Sequence, residues 1–412
     1  MNISDIDRSS IEKLKKLAQE KGLDITGGKI RRSSSRFCLG VEHGDYNGTE
    51  LFGVGTDRFI WMAYKPNGTD RVRIYSDNFP NDGIIDFQLG NVPAPLAPET
   101  ANSWARFPYG VDYILNKNGF KLNKGFDAVV YGNIPGGGMS RSASLALNLI
   151  ITMMEINELK VEKDFDNVLL AQQVENEYIG SPCGLLDQIM IYYAKEGMGT
   201  HFDPKTNSIK YVPLGDGATD FRIVVMDTGT VRPGLEKSTY KIRREECDSF
   251  AEALAKEYGN LKCLGDVRDC NTFNAVKTKF ADKPNWIERF DYIYHAQKRF
   301  YQMLDAWKAG DIETVGEIFR KDGIGLRDDY KISGAELETM CDIVRTVEGV
   351  MGERMLGGGD KGAAGCLVKA EAVDAVRKAV ETCYPRSRPA FADKYAVHVC
   401  KVVDGITTLE LE

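Results

Sequence analysis

The chain has 412 residues, 43% hydrophobic and 27% charged, with a formal net charge of −7 at pH 7. That length exceeds the size at which one core stops growing, so two domains of about 200 residues each are expected, with the composition of an ordinary globular protein. The acidic balance and the lack of a long lysine/arginine run argue against nucleic acid as a partner, and no apolar run of about 18 residues exists to span a membrane.

In chain order, the charged first 22 residues carry Ile11, Leu14, Leu17 and Ala18 at near-helical spacing. They predict a solvated helix and not a secretory signal. Residues 36–49, RFCLGVEHGDYNGT, then pack an arginine, a glutamate, a histidine and an aspartate into a short stretch that ends in the turn signal Asn47-Gly48. Such a cluster suits a polyhydroxylated ligand, although an isolated string of this kind is more often a water-facing loop. Strand-like runs follow at 52–54 and 59–63, and a helical pattern at 103–118. A buried strand at 127–132 feeds the glycines Gly136, Gly137 and Gly138 and a helix at 142–154. Strand, glycine turn and helix start together make an anion-binding arrangement, whereas a triple glycine alone is usually just a turn. A loop-rich stretch at 205–217 is the expected boundary between a first domain, 1–212, and a second, 213–412. Beyond it come a strand at 221–227, helices at 241–258, 286–309 and 312–320, and a glycine-rich turn at 357–365. Strands and helices interleave without a repeat, which predicts an α+β fold rather than a doubly wound Rossmann domain.

Three collinear motifs carry a family resemblance. Residues 36–49 resemble the galactokinase signature of the GHMP sugar kinases, GRVNLIGEHTDYNGG, with Arg36, Glu42, His43, Asp45, Tyr46, Asn47 and Gly48 on matching positions. Residues 131–145, YGNIPGGGMSRSASL, resemble the family phosphate loop PxGxGLSSSA. Glycines there let the backbone approach phosphate oxygens while the following helix offers its positive end. The loop is one residue shorter than is typical, and Arg141 replaces the middle serine of three, between Ser140 and Ser142. That arginine either adds a charge-assisted phosphate contact or obstructs the loop; the sequence leaves both open. Residues 352–368, GERMLGGGDKGAAGCLV, resemble the motif GARMTGGGFGGCTV, with Asp360-Lys361 in place of Phe-Gly. For Lys361 a solvated turn and a pocket role are equally compatible with the sequence.

Between the second and third motifs, residues 175–188, ENEYIGSPCGLLDQ, are similar to the family segment ending CGxMDQ. The resemblance implies that Asp187 is the catalytic aspartate, with Arg36 beside it, and that Glu175 and Ser142 hold Mg2+. The competing reading makes Glu175 and Glu177 a solvated helix face and Asp187 a helix cap. The resemblance also implies sugar contacts from Glu42, His43, Asp45, Gly184 and Tyr240, and nucleotide contacts from Trp104, Gly136, Gly137, Gly138, Ser140 and Ser142; Arg141, standing where the family has a serine, is carried with them as a nucleotide-binding candidate. Core packing is the alternative for Trp104 and helix packing for Tyr240. Two further stretches, 227–250 and 326–333, resemble the family as well.

These matches imply a two-domain GHMP kinase fold with the active site in the interdomain cleft. The implied activity is that of an ATP- and Mg2+-dependent sugar 1-kinase, with galactose as the leading substrate. A kinase for a uronic acid or amino sugar, met by Lys361 or Arg141, and a sugar sensor that has lost turnover are the rival readings. Nine cysteines without CxxC pairs read as reduced thiols of a cytoplasmic protein, and four widely spaced histidines argue against structural zinc. The small-molecule sugar is the expected partner, and oligomeric state is left open.

Overall fold

Helix α1 (Asp5–Lys21) begins where the Ser4 side chain accepts the Asp7 amide, and it stops at Gly22, whose φ of 65° is left-handed. The computed structural model describes residues 4–231 and 237–411. α1 lays Leu14, Leu17 and Ala18 on one face of an eight-stranded sheet, where they meet Ile30, Trp61, Val129, Leu409 and Leu411. Burying each such leucine contributes about 2 kcal/mol. The Trp61 indole N–H and Arg32 both converge on the Asp7 carboxylate at 2.7 Å.

This first sheet contains β1 (Lys29–Gly40), β2 (Leu51–Pro66), β3 (Arg71–Ser76), β4 (Ile84–Gln88) and β5 (Phe126–Gly132). Its order is β12-β1-β2-β5-β3-β4, where β12 is Ile406–Glu410. A hairpin of β6 (Met198–Asp203) and β7 (Ser208–Pro213) joins through β2. Only the β3–β5 pairing is parallel among the described residues. Alternation along β2 sends Phe59, Trp61 and Ala63 toward α1 and Ile60, Met62 and Tyr64 into the main core. There α3 (Arg141–Ile156) covers the sheet, flanked by α2 (Arg106–Lys117), α4 (Asp164–Gln173) and α5 (Leu186–Tyr192).

A second, antiparallel sheet runs β11-β8-β10-β9, from β8 (Phe221–Asp227), β9 (Val350–Met355), β10 (Ala363–Lys369) and β11 (Ala396–Cys400). Its helices are α6 (Thr239–Tyr258), α7 (Cys270–Lys279), α8 (Pro284–Ala309), α9 (Ile312–Asp328), α10 (Ala335–Arg345) and α11 (Val373–Ser387). The chain passes from the first sheet to the second between β7 and β8, and returns to the first for β12. The architecture is α+β, as the interleaved pattern predicts. Among the described residues no helix is long and apolar enough to cross a membrane.

Several expectations need correction. The runs at 52–54 and 59–63 are one strand, β2; the polar pair Asp57-Arg58 that separates them forms a bulge against Ser34 and Ser35 of β1. The stretch 205–217 is not simply loop, since it contains β7. The helix expected at 312–320, which contains Gly316, continues to Asp328 through Gly323 and Gly325, because α9 packs closely on β9. A Cβ at Gly316 would stand 2.6 Å from Met351, and one at Gly352 would stand 1.8 Å from the Gly316 carbonyl oxygen. The glycine-rich turn ends at Gly362, where β10 takes over. Residues 232–236 of the 227–250 stretch lie outside the described residues.

Candidate active site

Arg36, near the end of β1, is 1% exposed and joins three distant parts of the chain. Its Nε donates to Asp187 Oδ1 at 2.7 Å and its Nη1 to the Gly138 carbonyl at 2.8 Å. Burial opposes the guanidinium charge, but Asp187 and Glu42 outweigh it and hold its pKa above the ordinary value. Asp187 lies in the first turn of α5, with its carboxylate facing the cavity.

The acidic loop after β1 is clamped from the second part of the chain. Glu42 Oε2 accepts from Arg354 Nη1 at 2.8 Å and from the Gly357 amide at 3.2 Å, and the Tyr292 hydroxyl donates to the Glu42 carbonyl at 2.8 Å. His43 holds a left-handed φ of 60°, and its Nδ1 lies 2.9 Å from the Tyr46 hydroxyl. That hydroxyl is 2.7 Å from the Tyr330 hydroxyl, which also meets Asn47 and Cys247. Asp45 Oδ2 accepts the Leu186 amide at 3.2 Å. Burial raises the Asp45 pKa to about 6; the Leu186 amide opposes the rise and nearby Asp187 adds to it. A Cβ at Gly184 would lie 1.9 Å from Asp45 Oδ2, so any side chain there would displace the Asp45 carboxylate. Tyr240, in the first turn of α6, packs its ring 5.4 Å from that of His43.

On the other side of Asp187, α4 widens into a π-helical turn, Val174–Ile179, that presents Glu175. Ser142 Oγ donates to Glu175 Oε2 at 3.0 Å, and Gln188 Nε2 to Oε1 at 3.2 Å. Burial, then the Asp187 charge, raises the Glu175 pKa to about 7. This is a buried carboxylate, not the solvated helix face that the competing reading assumes. Among the described residues, no group of three or more histidine, cysteine or acidic side chains is placed to hold a metal.

The glycine loop between β5 and α3 runs against the turn before β10. A Cβ at Gly137 would stand 2.7 Å from the Gly362 Cα, so the two loops touch glycine to glycine. Ser140 precedes α3 with φ 58° and gives no side-chain cap, leaving the first-turn amides of the helix without one. Trp104 is buried and stacks on Phe79, with ring centroids 6.3 Å apart and planes at 14°.

Every site residue named from the sequence lines one cavity of about 600 Å3: Arg36, Glu42, His43, Asp45, Gly184, Asp187 and Tyr240 on one side, Trp104, Gly136, Gly137, Gly138, Ser140, Arg141, Ser142 and Glu175 on the other. Lys361 is not among them; it is exposed, while Asp360 accepts from the Thr239 hydroxyl at 3.0 Å. Two groups that the sequence did not single out are Phe79, a lone aromatic in a polar loop, and Arg106, at the start of α2; both line the cavity. Arg354, inside the third motif but assigned no role there, is fully buried against Glu42. Its position in a glycine-flanked strand was the available signal.

Comparison with known proteins accords with this geometry. Residues 107–195 match the family model for the GHMP kinases N terminal domain. The chain is 33% identical to galactokinase of Streptococcus thermophilus over 351 residues, covering 84% of this chain and 87% of the relative. It is 32% identical to galactokinase of Clostridium perfringens over 378 residues, 92% of this chain and 94% of that one. Among solved structures, Lactococcus lactis galactokinase complexed with galactose superposes with a TM-score of 0.87 at 29% identity, covering 97% and 99% of the two chains.

Proposed function

Since the chain belongs to the galactokinase family of GHMP kinases, we infer that it transfers the γ-phosphoryl group of ATP to the anomeric hydroxyl of galactose, giving galactose 1-phosphate and ADP. The observation that carries the residue assignment is the meeting of Arg36, Asp187 and the glycine loop in one cavity, at 2.7 and 2.8 Å. In this reading Asp187 orients the anomeric hydroxyl and accepts its proton as the oxygen attacks phosphorus. Arg36 fixes the Asp187 carboxylate through Oδ1 and sets positive charge beside the phosphoryl group. Glu42, His43, Asp45, Gly184 and Tyr240 surround the sugar, whose hydroxyls donate to the carboxylates and accept from the imidazole or phenol. Gly136, Gly137, Gly138 and Ser140 turn the loop backbone toward the phosphates, and Trp104 borders the base.

The Ser142 hydroxyl and Glu175 carboxylate, 3.0 Å apart, form a hard-oxygen donor pair suited to Mg2+. Mg2+ held by this pair would neutralise charge on the β- and γ-phosphates. Lys361, exposed and off the cavity wall, lends no support to a uronic acid or amino sugar as substrate. The two-domain division proposed at 212/213 cuts the last residue of β7 and lies just before the passage to β8, and β12 rejoins the first part. Nine free cysteines support a reducing, cytoplasmic setting.

Asp187→Asn tests the assignment. It should lower kcat by about 10²–10⁴-fold, the usual contribution of general acid/base assistance, while calorimetric galactose binding persists. Near-normal turnover in that variant would remove Asp187 from the chemistry.

A further inference from the structure

We propose that Arg141 is a direct ligand of the nucleotide polyphosphate and a determinant of donor affinity in this chain. Resting on the kinase reading above, the proposal adds a charged contact from the helix start itself. Arg141 is the first residue of α3 and lines the cavity. Its guanidinium carbon lies 5.4 Å from the centroid of the Phe79 ring, which in turn stacks on Trp104. Arginine, phenylalanine and tryptophan thus line one stretch of the cavity wall, with the guanidinium within cation–π range of the Phe79 ring.

The electrostatics around this cation are unbalanced. Arg141 has no hydrogen bond or ion pair among the described residues; Asp227, at the end of β8, acts on it only through the longer-range field. The guanidinium is thus partly buried on the cavity wall with no anion bonded to it among the described residues. A cation at a helix N-terminus also opposes the helix dipole. An anion seated between the guanidinium and the first-turn amides offsets both the burial and the dipole, because both then donate to the same group. Arg36, which bonds the loop, is unavailable for this because it is already committed to Asp187 and the Gly138 carbonyl, while Arg106 and Lys237 line the cavity without belonging to the loop or to α3. An anion that spans the glycine loop and the start of α3 is a polyphosphate rather than a single carboxylate. Obstruction of the loop is the opposite reading, and the Phe79 stack argues against it by drawing the side chain to the wall.

The test is calorimetric titration of the full-length protein and its Arg141→Ser and Arg141→Lys variants with ATP, ADP and adenosine, alongside galactose titration and turnover. Loss of one charge-assisted contact should weaken ATP binding at least about tenfold in Arg141→Ser. Arg141→Lys should recover part of it, and adenosine and galactose should bind all three proteins alike. Equal ATP affinity in wild type and Arg141→Ser would overturn the proposal. So would a parallel loss for adenosine, which would make Arg141 a prop for Phe79, and so would a gain in turnover, which would make it an obstruction. A wild-type protein that binds neither ATP nor galactose would instead refute the kinase reading.

Discussion

Asp45 shows how a single residue exchanges stability for recognition. Its carboxyl is pushed from the ordinary 3.8 to about 6 by burial, so the native state holds the proton more tightly than the unfolded chain. The associated stability is complete below pH ~4 and is lost as pH rises through about 6. At neutral pH the ionised group is therefore a liability of at most ~3 kcal/mol, reduced further by the opening of the cavity to solvent. Asp45→Asn should raise the melting temperature at pH 7 and flatten its fall between pH 4 and 7. It should also raise the KM for galactose at least about tenfold and weaken discrimination between epimers, since hydrogen bonds to a charged group contribute roughly 1.5–3 kcal/mol. Thermal melts across pH with steady-state kinetics on galactose and glucose check both. An Asn variant that is less stable at pH 7, or keeps its epimer preference, would show that Asp45 serves packing and not the sugar.

At the scale of elements, the cavity depends on two glycine-built turns meeting, one before α3 and one before β10. Gly362 has φ 101°, and its added Cβ would lie 3.3 Å from the Gly137 Cα. Gly362→Ala should strain that turn by roughly 1–3 kcal/mol and push the phosphate loop away. We expect a severalfold higher KM for ATP with galactose affinity nearly unchanged; an unaltered ATP KM would show that the loops need not touch. The sequence made these turns legible because glycine clusters and adjacent acidic residues mark themselves. It hid β1, whose middle reads RRSSSR, since Ser33, Ser34 and Ser35 are fully buried yet polar. The burial of Ser33 and Ser35 makes sense only with partners from afar: Ser144 and Asn148 of α3 bond to Ser33, and Thr56 of β2 lies 2.6 Å from Ser35, whereas the Ser34 hydroxyl has no partner among the described residues. The π-helical turn carrying Glu175 was equally invisible, because one extra residue per turn leaves no periodic trace in six residues. Arg354 went without a role because its meaning comes from Glu42, 312 positions away.

Across the whole molecule, the two ends of the described chain cooperate at a place remote from the cavity. β12 pairs with β1 from Lys29 opposite Glu410 to Ser33 opposite Ile406, and it covers an edge that would otherwise present unpaired backbone groups. Leu409 and Leu411 join Leu14 and Leu17 of α1 in one small core, while Arg31 reaches Thr408 at 3.1 Å. None of the cavity-lining residues belongs to α1 or β12. The stability of this region and the geometry of the site should therefore separate in experiment. Deleting residues 406–412 removes two buried leucines, about 1.5–3 kcal/mol each, together with a strand of the first sheet. The truncated protein should melt at a lower temperature and scatter light on heating as the bared β1 edge pairs with other copies. Well below its transition it should keep the KM values of the full chain for galactose and ATP. KM values that shift as strongly as the melting temperature would mean that β12 holds β1, and through it Arg36, in register for catalysis, making the C-terminal strand part of the machinery rather than a closure of the sheet.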